Sequence, residues 1–443
     1  MKKTLFALLI GLFILSLPTV AQEVNYDESK IGEYTLPDPL TFVNGKKVKT
    51  VQDWKQRRQE ILDIFQREMY GQMPPKPETL VLETIEEGET LAGFAKRKQV
   101  RMWFKADKTG PKIDWLVLVP KHVKGPVPTI LLLNYEGNQT ILADKEILVT
   151  DVWLQNDEKC FIKDHHISEQ SRGIINNTSR TNILPANTLV ANGYAVVTAC
   201  YGEISPDPDQ TDLDENGRSL QETFAYTRIF ELWGKRDPKR TDNTTALSAW
   251  AWALMRGMDM IERDTDLDAK RVVLTGCSRL GKAALIAGAF DDRFPVVIPN
   301  QTGGGGAPLA KRYYGENVGT MTSMFTHWYC KAYAKYAHNE ASMPFDQHMF
   351  LACVAPRKLL IQGFDEPWFD TKGEFLALQA ASPVWEFLGK EGLPKVDWPA
   401  DFDTSAIGTN LGYVRRNNAH GIAAIDWVWI LQFAEKAFKK INT

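Results

Sequence analysis

Along much of the chain one pattern repeats. A short, near-continuous apolar run is followed by a longer stretch whose apolar positions fall at helical spacing. The apolar runs lie at 129–133, 194–200, 271–275, 296–298 and 358–362. Helical stretches at 246–263 and 282–290 separate the later runs, and Asn192-Gly193 ends the helix that precedes the second. A strand apolar on nearly every residue is buried on both faces, as in a parallel sheet covered by helices. The expected class is therefore α/β: three layers, a mostly parallel central sheet and right-handed crossovers. Ahead of this core, Trp54, Ile61, Leu62, Ile64, Phe65 and Met69 mark a helix, stopped by Gly71 and Pro74-Pro75. Strand-like runs at 79–84, 100–105 and 115–119 read as an antiparallel edge leading into the sheet, and a final helix is expected over 423–438.

Three stretches exceed what such a scaffold needs: 137–185, 203–245 and 303–345, the last opening with Gly303-Gly304-Gly305-Gly306. Long insertions in α/β folds gather at the C-terminal edge of the sheet, where sites form. No internal repeat or low-complexity linker divides the chain, so residues 22–443 read as one catalytic domain. Residues 1–21 read as a secretory signal peptide: Met1-Lys2-Lys3, an apolar run over 5–17, then small residues to Ala21. That run is too short for a membrane anchor, and no Cys follows it for lipidation. The mature protein is expected to be exported, without membrane insertion, and monomeric.

Composition narrows the function. A net charge of −3 with no Lys/Arg-rich block argues against nucleic acid as a partner. The Cys count is 5, odd and widely spaced, with no CxxC pair, so neither a zinc site nor any other metal or cofactor is expected. The 13 Trp are core material first, and sugar-stacking surfaces second.

The chemistry centres on Val272-Val273-Leu274-Thr275-Gly276-Cys277-Ser278-Arg279-Leu280-Gly281-Lys282. A β-branched strand runs into a small-residue turn and then a helix, with Ser278 at the apex. This is the nucleophile elbow of the α/β-hydrolase fold, here G-x-S-x-x-G, with the second Gly one place late. A Ser hydroxyl needs a base, and the base an orienting acid. Of the four His after Ser278, His420 lies in a polar Asn417-Asn418-Ala419-His420-Gly421 loop before the last helix and is the expected base; His327 looks like part of an aromatic wall. For the acid, Asp365, Glu366 and Asp370 all qualify by position after the strand at 358–362. Arg279 and Lys282 put cations on one side of the nucleophile, where they can stabilise developing negative charge.

These residues resemble the glucuronoyl esterases, carbohydrate esterase family 15. Beside the elbow, the resemblance rests on Tyr70-Gly71 with Pro74, Leu133-Asn134-Tyr135-Glu136-Gly137-Asn138, Tyr201-Gly202-Glu203, Ala249-Trp250-Ala251-Trp252, and Asn300 with its Gly-rich turn. It implies a serine esterase acting on glucuronic acid esters, as in lignin–glucuronoxylan cross-links. It implies Arg279 as oxyanion stabiliser and Lys282, Glu316 and Trp368 as sugar-binding residues. Many members carry their acid where this chain has Gln301, an uncharged residue expected to matter little. Some bacterial members place the acid two residues before the Trp, at Glu366 here with Asp365 adjacent. In fungal members the Cys beside the Ser is bridged to one near the His, a partner Cys277 lacks. Two other readings are an acetyl-xylan esterase with a smaller acyl pocket, and a non-catalytic carbohydrate-binding protein.

Overall fold

The computed structural model describes residues 24–176, 183–417 and 419–439, so the expected leader at 1–21 lies outside the described residues. The strands are β1 (Val81–Thr90), β2 (Ala95–Trp103), β3 (Lys112–Pro120), β4 (Val127–Asn134), a small ribbon of β5 (Ile162–Lys163) and β6 (His166–Ile167), β7 (Ala195–Cys200), β8 (Leu267–Cys277), β9 (Val296–Asn300), β10 (Lys358–Phe364) and β11 (Leu411–Arg416). The helices are α1 (Val51–Phe65), α2 (Ala186–Ala191), α3 (Ala246–Ile261), α4 (Ser278–Phe290), α5 (Val318–Met324), α6 (Gln347–Ala352), α7 (Thr371–Ala381), α8 (Pro383–Phe387) and α9 (Ala424–Lys439).

The main sheet has the strand order β1-β2-β3-β7-β4-β8-β9-β10-β11. Its first four strands pair antiparallel. From β7 onward every pairing is parallel. Successive strand residues point to opposite faces, so each strand supplies two cores. Trp115, Val117, Leu131, Leu274 and Val297 face α1, α3, α4, α6 and α7. Leu116, Leu118, Ile130, Val273 and Ile298 face α2 and α9. The result is the expected three-layer sandwich. All of α3 is buried, which accounts for Trp250 and Trp252 as core residues. No described helix is long and apolar enough to cross a membrane.

One strand of the main sheet escaped the sequence pattern. In β11, Gly412 and the closing Arg415-Arg416 dilute an apolar run that is nonetheless buried at all but one position. It extends the parallel sheet by one strand and delivers the chain to His420. The C-terminal ends of β8, β9, β10 and β11 are sheet neighbours. They carry Ser278, Gln301, Asp365-Glu366 and the His420 loop, which collects residues distant in sequence at one edge.

Candidate active site

Strand β8 ends at Cys277 and α4 begins at Ser278, whose φ of 56° lies in the left-handed region. A side chain with Cβ takes that conformation at a cost, so the surroundings must impose it. They do so by hydrogen bonds: Asn300 Nδ2 donates to Thr275 Oγ1 (2.8 Å) and to Gly276 O (2.9 Å), and the Tyr135 hydroxyl donates to Cys277 O (2.7 Å). The late glycine also has its reason. A Cβ on Gly281 would stand 2.7 Å from Asn300 O and 3.0 Å from Gly276 O. Only glycine lets α4 approach β9 this closely, while Leu280, at the usual glycine position, points into the core at 1% exposure.

The two cations of α4 are each tied to a carboxylate from an insertion. Arg279 Nη1 donates to Asp207 Oδ2 at 2.7 Å. Asp207 Oδ1 accepts from His327 Nε2 (2.7 Å) and Trp328 Nε1 (2.8 Å). Burial opposes ionisation of Asp207, but the guanidinium and these donors prevail and hold its carboxyl at about 2. Lys282, 2% exposed, places Nζ 3.9 Å from Glu316 Oε2. It is thus no decoration of the helix surface. Glu316 Oε1 accepts from Trp368 Nε1 (2.7 Å) and Oε2 from Gly304 N (2.7 Å). Burial lowers the Lys282 ammonium and raises the Glu316 carboxyl, each shift moderated by the other's charge. The indole of Trp328 lies under both cations, 4.9 Å from the Arg279 guanidinium carbon and 5.3 Å from Lys282 Nζ.

His420 is half-buried, stacked on Phe369 at 4.7 Å between ring centres. Its Nε2 is buried without a hydrogen-bond partner. Burial first, then the positive charges of Arg279, Lys282 and Arg416, push its pKa down to about 4. Its loop is clamped at the backbone. Gly421 N donates to Gln301 Oε1 (2.7 Å), and Gln301 Nε2 donates back to Gly421 O (3.0 Å). Arg416 Nη1 donates to Ala419 O (2.9 Å), and Nη2 to Gly421 O. Arg416 is in turn paired with Asp426 at 2.9 Å, both side chains fully buried. Gln301, expected to be a bystander, is therefore the direct support of the His420 loop, and its Oε1 lies 4.0 Å from Cys277 Sγ, beside the nucleophile.

The expected acids stand near but apart. Asp365, Glu366 and His420 line one cleft of ≈ 560 Å³. Yet Asp365 pairs with Arg415 at 3.3 Å, and Glu366 caps the turn Pro367–Phe369 through Trp368 N at 3.4 Å. Among the described residues neither carboxylate is bonded to His420. Asp370, the third carboxylate there, is buried against Arg312 (3.0 Å) and caps α7. The remaining histidines are placed elsewhere: His348 on Pro37 O and His338 beside Tyr313. His327 does join the site, as a donor to Asp207. That contact spans 120 residues, and nothing local in the sequence could have revealed it. All five Cys are buried and none is in a disulfide among the described residues, Cys277 included. No cluster of three or more His, Cys, Asp or Glu suited to a metal occurs among the described residues.

The chain as a whole is similar to known proteins. A family model described as "Glucuronyl esterase, fungi" matches residues 184–389. Carbohydrate esterase MZ0003, from an unknown prokaryotic organism, is 38% identical over 416 residues, covering 93% of this chain and 91% of its own. The 4-O-methyl-glucuronoyl methylesterase of Cerrena unicolor is 26% identical over 390 residues, covering 82% of this chain and 63% of that protein. Among solved structures, a promiscuous CE15 esterase from the marine bacterial metagenome superposes with a TM-score of 0.83 at 36% identity, covering 94% of this chain and 100% of that one. A glucuronoyl esterase from Solibacter usitatus gives 0.82 at 36% identity, covering 93% and 100%. Similarity of this degree along nearly the whole chain means that the chain belongs to the glucuronoyl esterases, carbohydrate esterase family 15.

Proposed function

We propose that this protein hydrolyses esters of glucuronic acid through an acyl-enzyme on Ser278. The observation that carries the reading is the chain of contacts from buried Lys282, one helical turn from Ser278, through Glu316 to half-buried Trp368. A plain acetyl pocket has no use for it. A sugar ring does: its hydroxyls meet Lys and Glu, and its face meets an indole. Ser278 Oγ attacks the uronate carbonyl while His420 Nε2 takes the hydroxyl proton. Arg279 stands by the oxyanion as the C–O bond to the alcohol breaks, and His420 returns the proton to the leaving alkoxide. Water then repeats the sequence on the acyl-enzyme. We place the orienting acid at Glu366 rather than Asp365. Its hold on Trp368 N is long at 3.4 Å, whereas Asp365 is engaged by Arg415. We assign lignin–glucuronoxylan cross-links as the natural class of substrate. The protein acts as an exported monomer, its leader cleaved near Ala21.

The test is a substrate comparison. Lys282→Ala should raise KM for methyl glucuronate at least tenfold (about 1.4 kcal/mol) while leaving KM for an aryl acetate, which has no sugar, unchanged. Equal effects on both substrates would return Lys282 to a purely structural place.

A further inference from the structure

We infer that Asp207 is a positioning residue for ester hydrolysis: it fixes the guanidinium of Arg279 in the orientation that receives the oxyanion. The inference rests on the reading of Arg279 as the oxyanion cation. Arg279 has a long, flexible side chain that is 30% exposed, and left to itself it would sample many rotamers. Asp207 removes that freedom. It is 3% exposed, and both its oxygens are engaged, by Arg279 on one side and by His327 and Trp328 on the other. Its carboxylate plane is thereby set before any substrate arrives. The Trp328 indole, which donates to Asp207 through Nε1, also lies against the guanidinium it positions. With Nη1 committed to Asp207, the rest of the guanidinium is held in register, including an Nε that is buried and has no partner of its own.

The parts come from separate pieces of chain. Asp207 belongs to the 203–245 insertion, His327 and Trp328 to the 303–345 insertion, and Arg279 to the nucleophile helix. Two insertions thus converge on one side chain of α4. The sheet does not require this. A preorganised donor at the site of developing charge does, because a dipole already in place costs no reorganisation during the reaction.

The experiment is a double-mutant cycle with methyl glucuronate as substrate. Asp207→Asn keeps the shape and one acceptor but removes the charge that holds Arg279. It should lower kcat about 10- to 100-fold, within the range of a lost oxyanion donor, with KM changed less than about threefold. In an Arg279→Met background the same substitution should lower kcat less than about twofold further. A full additional loss in that background means that Asp207 acts by general stabilisation and overturns the inference. So does an Asp207→Asn enzyme of normal kcat when Arg279→Met is impaired. A normal Arg279→Met enzyme overturns the oxyanion reading itself, and this inference with it. Should Asp207→Asn fail to fold, Trp328→Phe removes one donor to Asp207 and keeps a ring. It should lower kcat several-fold in the Arg279 enzyme alone, and an equal loss in both backgrounds overturns the inference.

Discussion

Gln301→Ala is the substitution for which sequence and structure disagree most. From sequence Gln301 looks like a vacated acid and its loss should be mild; in the structure it holds both polar groups of the Gly421 peptide. The two bonds are unequal. Gly421 O retains Arg416 when the amide is gone, so losing the Nε2 bond costs about 0.5–1.5 kcal/mol. For Gly421 N, the bond to Gln301 Oε1 is the hydrogen bond that satisfies it, and a buried N–H left alone costs roughly 1–3 kcal/mol. Together this is about 1.5–4.5 kcal/mol. Global unfolding measured in urea should show it, unless the loop releases itself first. In that case the cost appears as displacement of His420, and kcat falls roughly tenfold for each 1.4 kcal/mol. Gln301→Glu is the sharper companion. It can still accept from Gly421 N but turns an acceptor toward Gly421 O, so it should be destabilised and should gain no activity from the restored charge. The assay is urea denaturation and methyl glucuronate turnover on the same samples. A Gln301→Ala enzyme within about 0.5 kcal/mol of wild type and of normal kcat would refute the clamp.

Ser278→Ala and His420→Ala should each fold normally by circular dichroism and lose about 10⁴-fold or more of kcat; a His420→Ala enzyme above a tenth of wild-type kcat/KM would misplace the base. Burial and three cations depress His420 to about 4 where no carboxylate is bonded to it, so in Glu366→Gln the acid limb of kcat/KM should have its midpoint near 4, below that of the wild-type enzyme, in which Glu366 lifts the imidazole. Identical acid limbs in the two enzymes would mean that Glu366 is not bonded to His420 in the working enzyme. Glu366→Gln should lower kcat by orders of magnitude with little change in KM, while Asp365→Asn chiefly loosens Arg415. The reverse ranking in steady-state kinetics would move the acid to Asp365, and two active mutants would take it out of the pair.

What could be read from the sequence was what lies close together in it. The elbow, its two cations and the first turn of their helix occupy seven consecutive residues from Gly276 to Lys282, so local spacing was enough. His420 was legible because a glycine and a helix start follow it. The alternation of apolar runs and helices defined the parallel sheet, apart from β11, where Gly412 and two arginines masked the run. The structure was needed where meaning lies in pairing across distance. Asp207 reads as one acid among many in an Asp-rich insertion until His327 and Trp328, from another insertion, close on it. Gln301 was weighed in the sequence for the charge it lacks, whereas the structure shows its amide donating and accepting at once. Asp365 and Glu366 were correctly brought to the His420 cleft by strand order, but position along a strand says nothing about where a carboxylate turns.

The matching of Arg279 by Asp207 and of Lys282 by Glu316 bears on what happens after the chemistry. The ester that enters carries no charge at its carboxyl carbon; the acid that must leave is an anion. Bare cations beside the nucleophile would grip that anion and make departure the slow step, with accumulating glucuronate poisoning the enzyme. Here each cation already has its counter-charge within 4 Å. The freed carboxylate meets Asp207 close behind the guanidinium placed at the oxyanion, and that nearby negative charge loosens the grip on the departing anion.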